Sequence, residues 1–588
     1  MKLQRYTTSL IGLLSSKRRT LAFSSAVALL FILLGLTRPW SKPVVFFVAG
    51  ETSGEVHFER PDGSAFRYPF RSTEDSAPVT FHSLRPRRVT LRAETSDAAA
   101  QVTLGTQSVQ LRRAGEHTID HWPGQRSAPA TLASLLLTGG LLFLVCYFLV
   151  GGYSALSTAE RRRLLLHTTA LVFVVATIFG LSAPGILWFD TYAATISAAR
   201  GEVSAFTGPL YGLVLMAGYQ LFPTMHLVHA LNAICVFLVL LGVLHRALLR
   251  QRQIVFWCGL ALLFSYPANF NAVLSANRDV LAMWTTGFLA LLLLDKTPPR
   301  GLVTFLLLLC LGLRNDLFAV GVLVLPFLVA GRKWAWASAL GACLAATYLL
   351  SVAALPAEKR AVYQSTVLVN PLGHILKHEY PAGLARETEE QLAGFFRVSA
   401  LREFHNDYEI DPFHRGGVRF DDVAGTYPAF RATALRLIAK HWPRFLENRL
   451  RMTLAMLGFS SVSPALGIAN APESSSYLRE NLTRIGQLES AQEIFAGLPA
   501  AMRWDYYQLP WQLKSYLFPL LVLALSFILG AAQGRWVLGL LVLRLLLVAA
   551  TAPAPMYKYN FNLWVFSCFV FIWVDPRLPR WKGRRASA

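Results

Sequence analysis

Long apolar runs alternate with short polar turns along most of the chain. Runs at 21–38, 129–152, 165–185, 225–246, 253–269, 279–294, 301–313, 317–331, 334–355, 512–530, 536–551 and 560–574 carry few charges. A helix needs roughly 20 apolar residues to cross a hydrocarbon core. The pattern predicts an α-helical polytopic membrane protein of about twelve spans. Two stretches break it. Residues 41–128 contain short β-type alternations such as 43-PVVFFVAG-50 and 79-VTFHSLRPRRVTLRAE-94 between turn residues, which predicts a small all-β domain. Residues 356–510 are polar. Within them 428–458 has helical apolar spacing, which predicts a mostly helical segment on or against the membrane.

Charge gives these elements an orientation. The chain of 588 residues is 54% hydrophobic, with 56 Lys and Arg against 34 Asp and Glu and a net charge of +22. Such a charge suits nucleic acid or anionic lipid. The basic residues collect in alternate turns, with Lys2, Arg5, Lys17, Arg18 and Arg19 at the start, Arg161–Arg163, Arg246–Arg252 and Arg332-Lys333 between runs, and Arg577–Arg585 at the end. That favours cytoplasmic turns beside membrane lipid and argues against nucleic acid. Both termini are then cytoplasmic, in a bacterial inner membrane. The expected division is 1–40, cytoplasmic N-terminus and a retained anchor; 41–128, a periplasmic β domain; 129–355, a membrane core; 356–510, a periplasmic segment; 511–575, C-terminal membrane helices; and 576–588, a basic cytoplasmic tail. The stretch 209-PLYGLVLMAGYQLFP-223 is short, with Pro at both ends, and reads as a helix on the outer surface. The six cysteines lie in apolar runs without CxxC spacing, against a disulfide framework or a thiolate metal site.

Candidate chemistry lies where this bias fails. Arg278, Arg314 and Lys558, in 277-NRD-279, 314-RND-316 and 557-YKY-559, fall in outer turns by this topology. Together they can grip an anion, phosphate first among the candidates. The competing local reading pairs Arg278 with Asp279 and Arg314 with Asp316. Arg544, inside 536-WVLGLLVLRLLLVAA-550, needs a partner or a polar cavity at membrane depth, a lipid phosphate being one option and a structural pair the other. Asp190 opens the outer loop 186–224, as a general base or as the N-cap of 191–200, and Glu202 stands at the far end of that helix. His374 and His378 have the i,i+4 spacing of metal ligands but no third ligand in register. No cofactor is expected, a divalent metal being left open. No phosphate loop, nucleophile elbow or dinucleotide-binding glycine pattern occurs in a supporting context.

Taken in order, several of these segments resemble the GT-C-type glycosyltransferases of the protein-mannosyltransferase and lipid-A-sugar-transferase kind. They are 209-PLYGLVLMAGYQLFP-223 followed by 227-LVHALNAICVFLVLLG-242, then 275-SANRDVLAMWTTGFLALLLLD-295, 437-LIAKHWPRFLENRL-450 and 555-PMYKYNFNLWVFSCF-569. The likeness covers 155–355 well and the C-terminal third loosely. It implies a GT-C-like fold and transfer of a sugar from a polyprenyl-phosphate donor to a glycan, lipid or protein acceptor. It makes Asp190 the catalytic base and places Arg278 and Lys558 at the donor phosphate; Arg314, Tyr559, Glu202 and Arg544 are further candidates for the site beside it. Thr207 and Gly208 stand where the family has His and Pro, and Asp190 is followed by Thr191 rather than a second acid. A lipid-linked-glycan flippase and a non-catalytic subunit of an envelope-polysaccharide machine are the rival readings.

Overall fold

The computed structural model describes residues 2–37, strand segments within 44–119, and 128–154, 156–181, 194, 197–198, 203, 208–221, 226–266, 269, 273, 278–295, 297–403, 405, 423–457, 517–529, 532–552 and 560–574. Eighteen α-helices are defined among them. They are α1 (Lys2–Thr37), α2 (Ala128–Ser154), α3 (Thr158–Leu181), α4 (Pro209–Leu221), α5 (His226–Leu249), α6 (Gln253–Ser265), α7 (Arg278–Leu292), α8 (Arg300–Leu313) and α9 (Asn315–Ala330). There follow α10 (Trp334–Ala354), α11 (Ala357–Glu379), α12 (Arg386–Ala393), α13 (Val398–Glu403), α14 (Val423–Lys440), α15 (Trp442–Met456), α16 (Leu517–Leu529), α17 (Ala532–Thr551) and α18 (Phe561–Phe569).

Among the described residues, five helical segments are long and apolar enough to cross a membrane: Thr131–Ser154, Thr158–Gly180, Leu227–Leu249, Trp334–Ala354 and Gly534–Thr551. Shorter apolar helices accompany them at Thr20–Leu36, Pro209–Gly218, Gln253–Ser265, Arg300–Leu313, Asp316–Ala330 and Phe561–Ile572. The chain is a helical membrane protein. Between α1 and α2 the backbone forms two antiparallel four-stranded sheets, ordered β4-β1-β6-β7 and β3-β2-β5-β8. Their strands are β1 (Val44–Ala49), β2 (Thr52–Glu59), β3 (Ala65–Ser72), β4 (Val79–Ser83), β5 (Arg88–Ser96), β6 (Gln101–Leu104), β7 (Gln107–Gln110) and β8 (Gly115–Ile119). The register sets Val56 opposite Tyr68 and Leu91, and Phe58 opposite Phe66 and Val89.

The bundle is built around α7. Every residue from Arg278 to Leu292 is buried, its polar residues included. It packs on α5, α8 and α18. The last helix, α18, is also buried along its whole length, and small residues let it approach closely. A Cβ on Gly287 would lie 2.7 Å from side-chain atoms of Val565, and one on Gly259 would lie 2.3 Å from the carbonyl oxygen of Cys568. Close backbone approach at glycine is a common way for membrane helices to gain contact. Aromatic pairs fill the remaining seam: Trp284 on Phe561, Phe256 on Phe569, and Tyr266 on Trp564, with centroids 5.7, 5.7 and 4.9 Å apart. At the start of α3, Ser157 and Glu160 form a capping box. The Ser157 amide donates to Glu160 at 2.8 Å, and the Glu160 amide to the Ser157 hydroxyl at 3.3 Å.

The short helix α4, expected at the outer face, is covered by protein on its described sides. It has 13 residues, and Leu210, Tyr211, Leu213, Leu215, Met216 and Ala217 are all buried, against α2, α8 and α10 among others. Prolines at both ends suit its length, and its apolar character on every side suits its burial among neighbouring helices. Helices α11–α14 form a second, smaller core around Phe395, Phe396 and Phe430. This is the helical part of the polar segment, and α15 joins it to α17.

Candidate functional site

Four helices bring charged side chains to one end of the bundle. Arg278 and Asp279 begin α7, Arg314 and Asp316 stand at the α8–α9 junction, Arg544 comes from α17, and Asn560 and Asn562 lie at the start of α18. Arg278 Nε lies 3.5 Å from Asp279 Oδ1, and Arg314 Nη1 lies 2.8 Å from the same oxygen. Arg314 Nε donates to Asp316 Oδ1 at 2.5 Å. Arg544 Nη2 donates to Asp316 Oδ2 at 3.2 Å, and its Nη1 donates to Asn562 Oδ1 at 2.8 Å and to Asn560 Oδ1 at 3.5 Å. The result is a chain of alternating charge, Arg278–Asp279–Arg314–Asp316–Arg544. Its guanidinium on Arg278 also lies over the Tyr363 ring of α11, 5.8 Å from the centroid.

Local sequence explains the placement. Arg314 has extended backbone and ends α8 while Asp316 lies in the first turn of α9. The break lets Arg314 reach Asp279 of α7 while Asp316 meets Arg544 of α17. An acid in a first helical turn is favoured by the helix dipole, and Asp279 holds the same position on α7. Nearby, Gly208 precedes α4 where a Cβ would lie 2.4 Å from the carbonyl oxygen of Gly312 and 2.7 Å from that of Leu313. Backbone meets backbone there, so only glycine fits at the position where the resembled family carries a bulkier residue.

The network is almost dry. Arg278, Asp279 and Arg544 are 8%, 2% and 2% exposed. Among the described residues three guanidinium groups share the carboxylates of Asp279 and Asp316. In a site of low dielectric such charges act strongly on any anion that enters. Arg314 and Asp316 thus form the local pair that their spacing allows, and so do Arg278 and Asp279, but both pairs are fused through Asp279 and Asp316 into one unit. Arg544 has its partners in protein side chains. Asp190, Glu202, Lys558 and Tyr559 lie outside the described residues, as does Thr207.

Sequence reasoning singles out the three arginines but not Asn560, Asn562 or Tyr363. The signal for the asparagines is present, since an amide in an apolar helix needs a partner. A second polar cluster at the other end of α7 was equally hidden. Asp295 accepts hydrogen bonds from Arg250 at 2.6 Å and from the Trp573 indole at 2.9 Å, with Arg246 3.6 Å away. Arg252 Nη1 donates to the carbonyls of Phe571 and Val574 at 2.5 and 2.7 Å, closing the end of the last helix. These arginines, which the charge pattern assigns only to a basic turn, are clamps.

His374 and His378 share a face of α11 with ring centroids 4.4 Å apart, and His405 lies 5.6 Å from His374. Glu447 Oε2 is 3.7 Å from His374 Nε2. Among the described residues no group of three or more His, Cys, Asp and Glu side chains is arranged to hold a metal ion. Comparisons with protein-family models, with curated proteins and with solved structures gave no match.

Proposed function

We propose that the chain is a membrane-embedded glycosyltransferase of GT-C type. It moves a sugar from a polyprenyl-phosphate donor to a hydroxyl of a glycan, lipid or protein, with inversion at the anomeric carbon. The observation that supports this reading is the cluster of three guanidinium groups at the head of α7, held in a nearly dry setting where charge acts most strongly. Asp190 takes the proton of the acceptor hydroxyl as its oxygen attacks the anomeric carbon. The bond from that carbon to the phosphate oxygen breaks, and the phosphate leaves with the electron pair. Arg278 and Lys558 stabilise the charge that develops, with Arg314, Arg544, Tyr559 and Glu202 around them. A lipid-phosphate donor agrees with the missing nucleotide motifs.

In this proposal about twelve spans cross a bacterial inner membrane with both termini in the cytoplasm. The head of α7 then faces the periplasm, as do the two four-stranded sheets and the helices of 356–510. The pairing of each arginine with a carboxylate favours a second reading, in which the network is a structural clamp in a non-catalytic subunit of an envelope machine. Incubating the purified chain with labelled polyprenyl-phosphate sugar and membrane acceptors separates the two. Donor consumption with formation of a sugar–acceptor product of inverted configuration supports the transferase. Complete survival of the donor with every acceptor class supports the clamp.

A further inference from the structure

Helices α9 and α17 leave a groove of about 380 Å³ between them, at the end of α9 remote from the charged network. One wall is Val324 and Phe327, spaced i,i+3 on α9. The other is Trp536, Leu540 and Leu543 of α17. These positions form a stripe along each helix, so the groove runs with the helix axes. Phe327 is 63% exposed and Trp536 51% exposed, although both helices are apolar.

The groove has a basic end. Arg535 lines it, and the turn that joins α9 to α10 contributes Lys333, whose ammonium lies 5.5 Å from the centroid of the Trp536 ring. Both cations are exposed, no lining residue is acidic, and among the described residues neither cation enters an ion pair. A turn between two apolar helices marks a membrane boundary, and a Trp with Lys and Arg beside it is the usual side-chain set at headgroup depth. An apolar channel that begins at two cations matches a lipid with one acyl chain and one anionic head.

We propose that this groove binds an anionic phospholipid, with an acyl chain between Phe327 and Leu543 and the phosphate held by Lys333 and Arg535. Basic pockets between membrane helices bind such headgroups through charge-assisted contacts. The proposal needs only that the α9–α10 turn lies at a membrane boundary, whichever side it faces. It is independent of sugar transfer.

Gly539 supplies a clean test. It lines the groove, and a Cβ added there meets nothing within 4 Å. Gly539→Leu fills the groove without pressing on a neighbour, and Lys333→Gln with Arg535→Gln removes the cations without filling it. The full chain is purified in detergent, and retained lipid is measured by native mass spectrometry after addition of phosphatidylglycerol, phosphatidylcholine or inorganic phosphate. The wild type should retain phosphatidylglycerol over phosphatidylcholine. The double glutamine variant should lose that preference, with retention weaker on the order of tenfold. Gly539→Leu should lose the lipid while its helical circular dichroism stays that of the wild type. Inorganic phosphate should not displace the lipid, because it cannot fill the apolar channel. Equal retention of the two lipids by the wild type, or unchanged retention in both variants, would overturn the proposal; displacement by phosphate would reduce it to an anion site.

Discussion

Asp279 is 2% exposed and has a guanidinium on either side, Arg314 at 2.8 Å and Arg278 at 3.5 Å. A buried charge left without its partner is costly, about 3–5 kcal/mol for a broken pair. Asp279→Ala should therefore lower the unfolding free energy of the detergent-solubilised protein by about that amount. A loss under about 1 kcal/mol would be that of an exposed pair and would show that water reaches the network. Part of this arrangement is legible in the chain. A cation inside 536–551 must find a partner, so Arg544 stands out. Its partner does not, because Asp316 is 228 residues away and only the fold brings α9 to α17. The same holds for Asp279, which reads as the neighbour of Arg278 and proves to be shared with Arg314.

At the scale of elements, the apolar runs locate the helices well, and five of the described ones are long and apolar enough to cross a membrane. What covers α4 is not legible there: the thirteen residues between prolines give its length, and its burial follows from what surrounds it, which the sequence does not state. The α7–α18 seam depends on missing side chains, so Gly287→Leu should push α18 away from α7. Overpacking of this kind typically costs about 1–3 kcal/mol, and the melting temperature should fall accordingly; an unchanged melting temperature would mean that α18 can shift without loss. In the smaller helical unit, Arg444 donates to Glu379 at 2.6 Å and to Glu447 at 2.8 Å. These hydrogen bonds hold both carboxyl groups below their ordinary range. A depressed carboxylate stabilises the fold at pH above its unfolded value, and the contribution is lost as pH falls through the folded value. Amide exchange in α11 and α15 should thus accelerate as pH drops from about 6 to about 3, after correction for the intrinsic rate. The Glu447→Gln variant should show a smaller pH dependence; an equal one would remove Glu447 from the cause.

On the scale of the whole molecule, α7 is tied at both ends. The Arg278–Arg544 network holds its start, and Asp295, just past its end, is held by Arg250 and Trp573. A helix fixed in this way is a rigid support for a charged site, as preorganised electrostatic catalysis requires. In the proposed reaction Asp190 acts as a base on a phosphate-linked donor held beside this support. Sugar transfer from labelled polyprenyl-phosphate donor, measured together with donor retention in Asp190→Asn and in the wild type, tests it most directly. Asp190→Asn should retain the donor as the wild type does but transfer sugar more slowly by about 10²–10⁴-fold. Transfer at the wild-type rate in Asp190→Asn would contradict it.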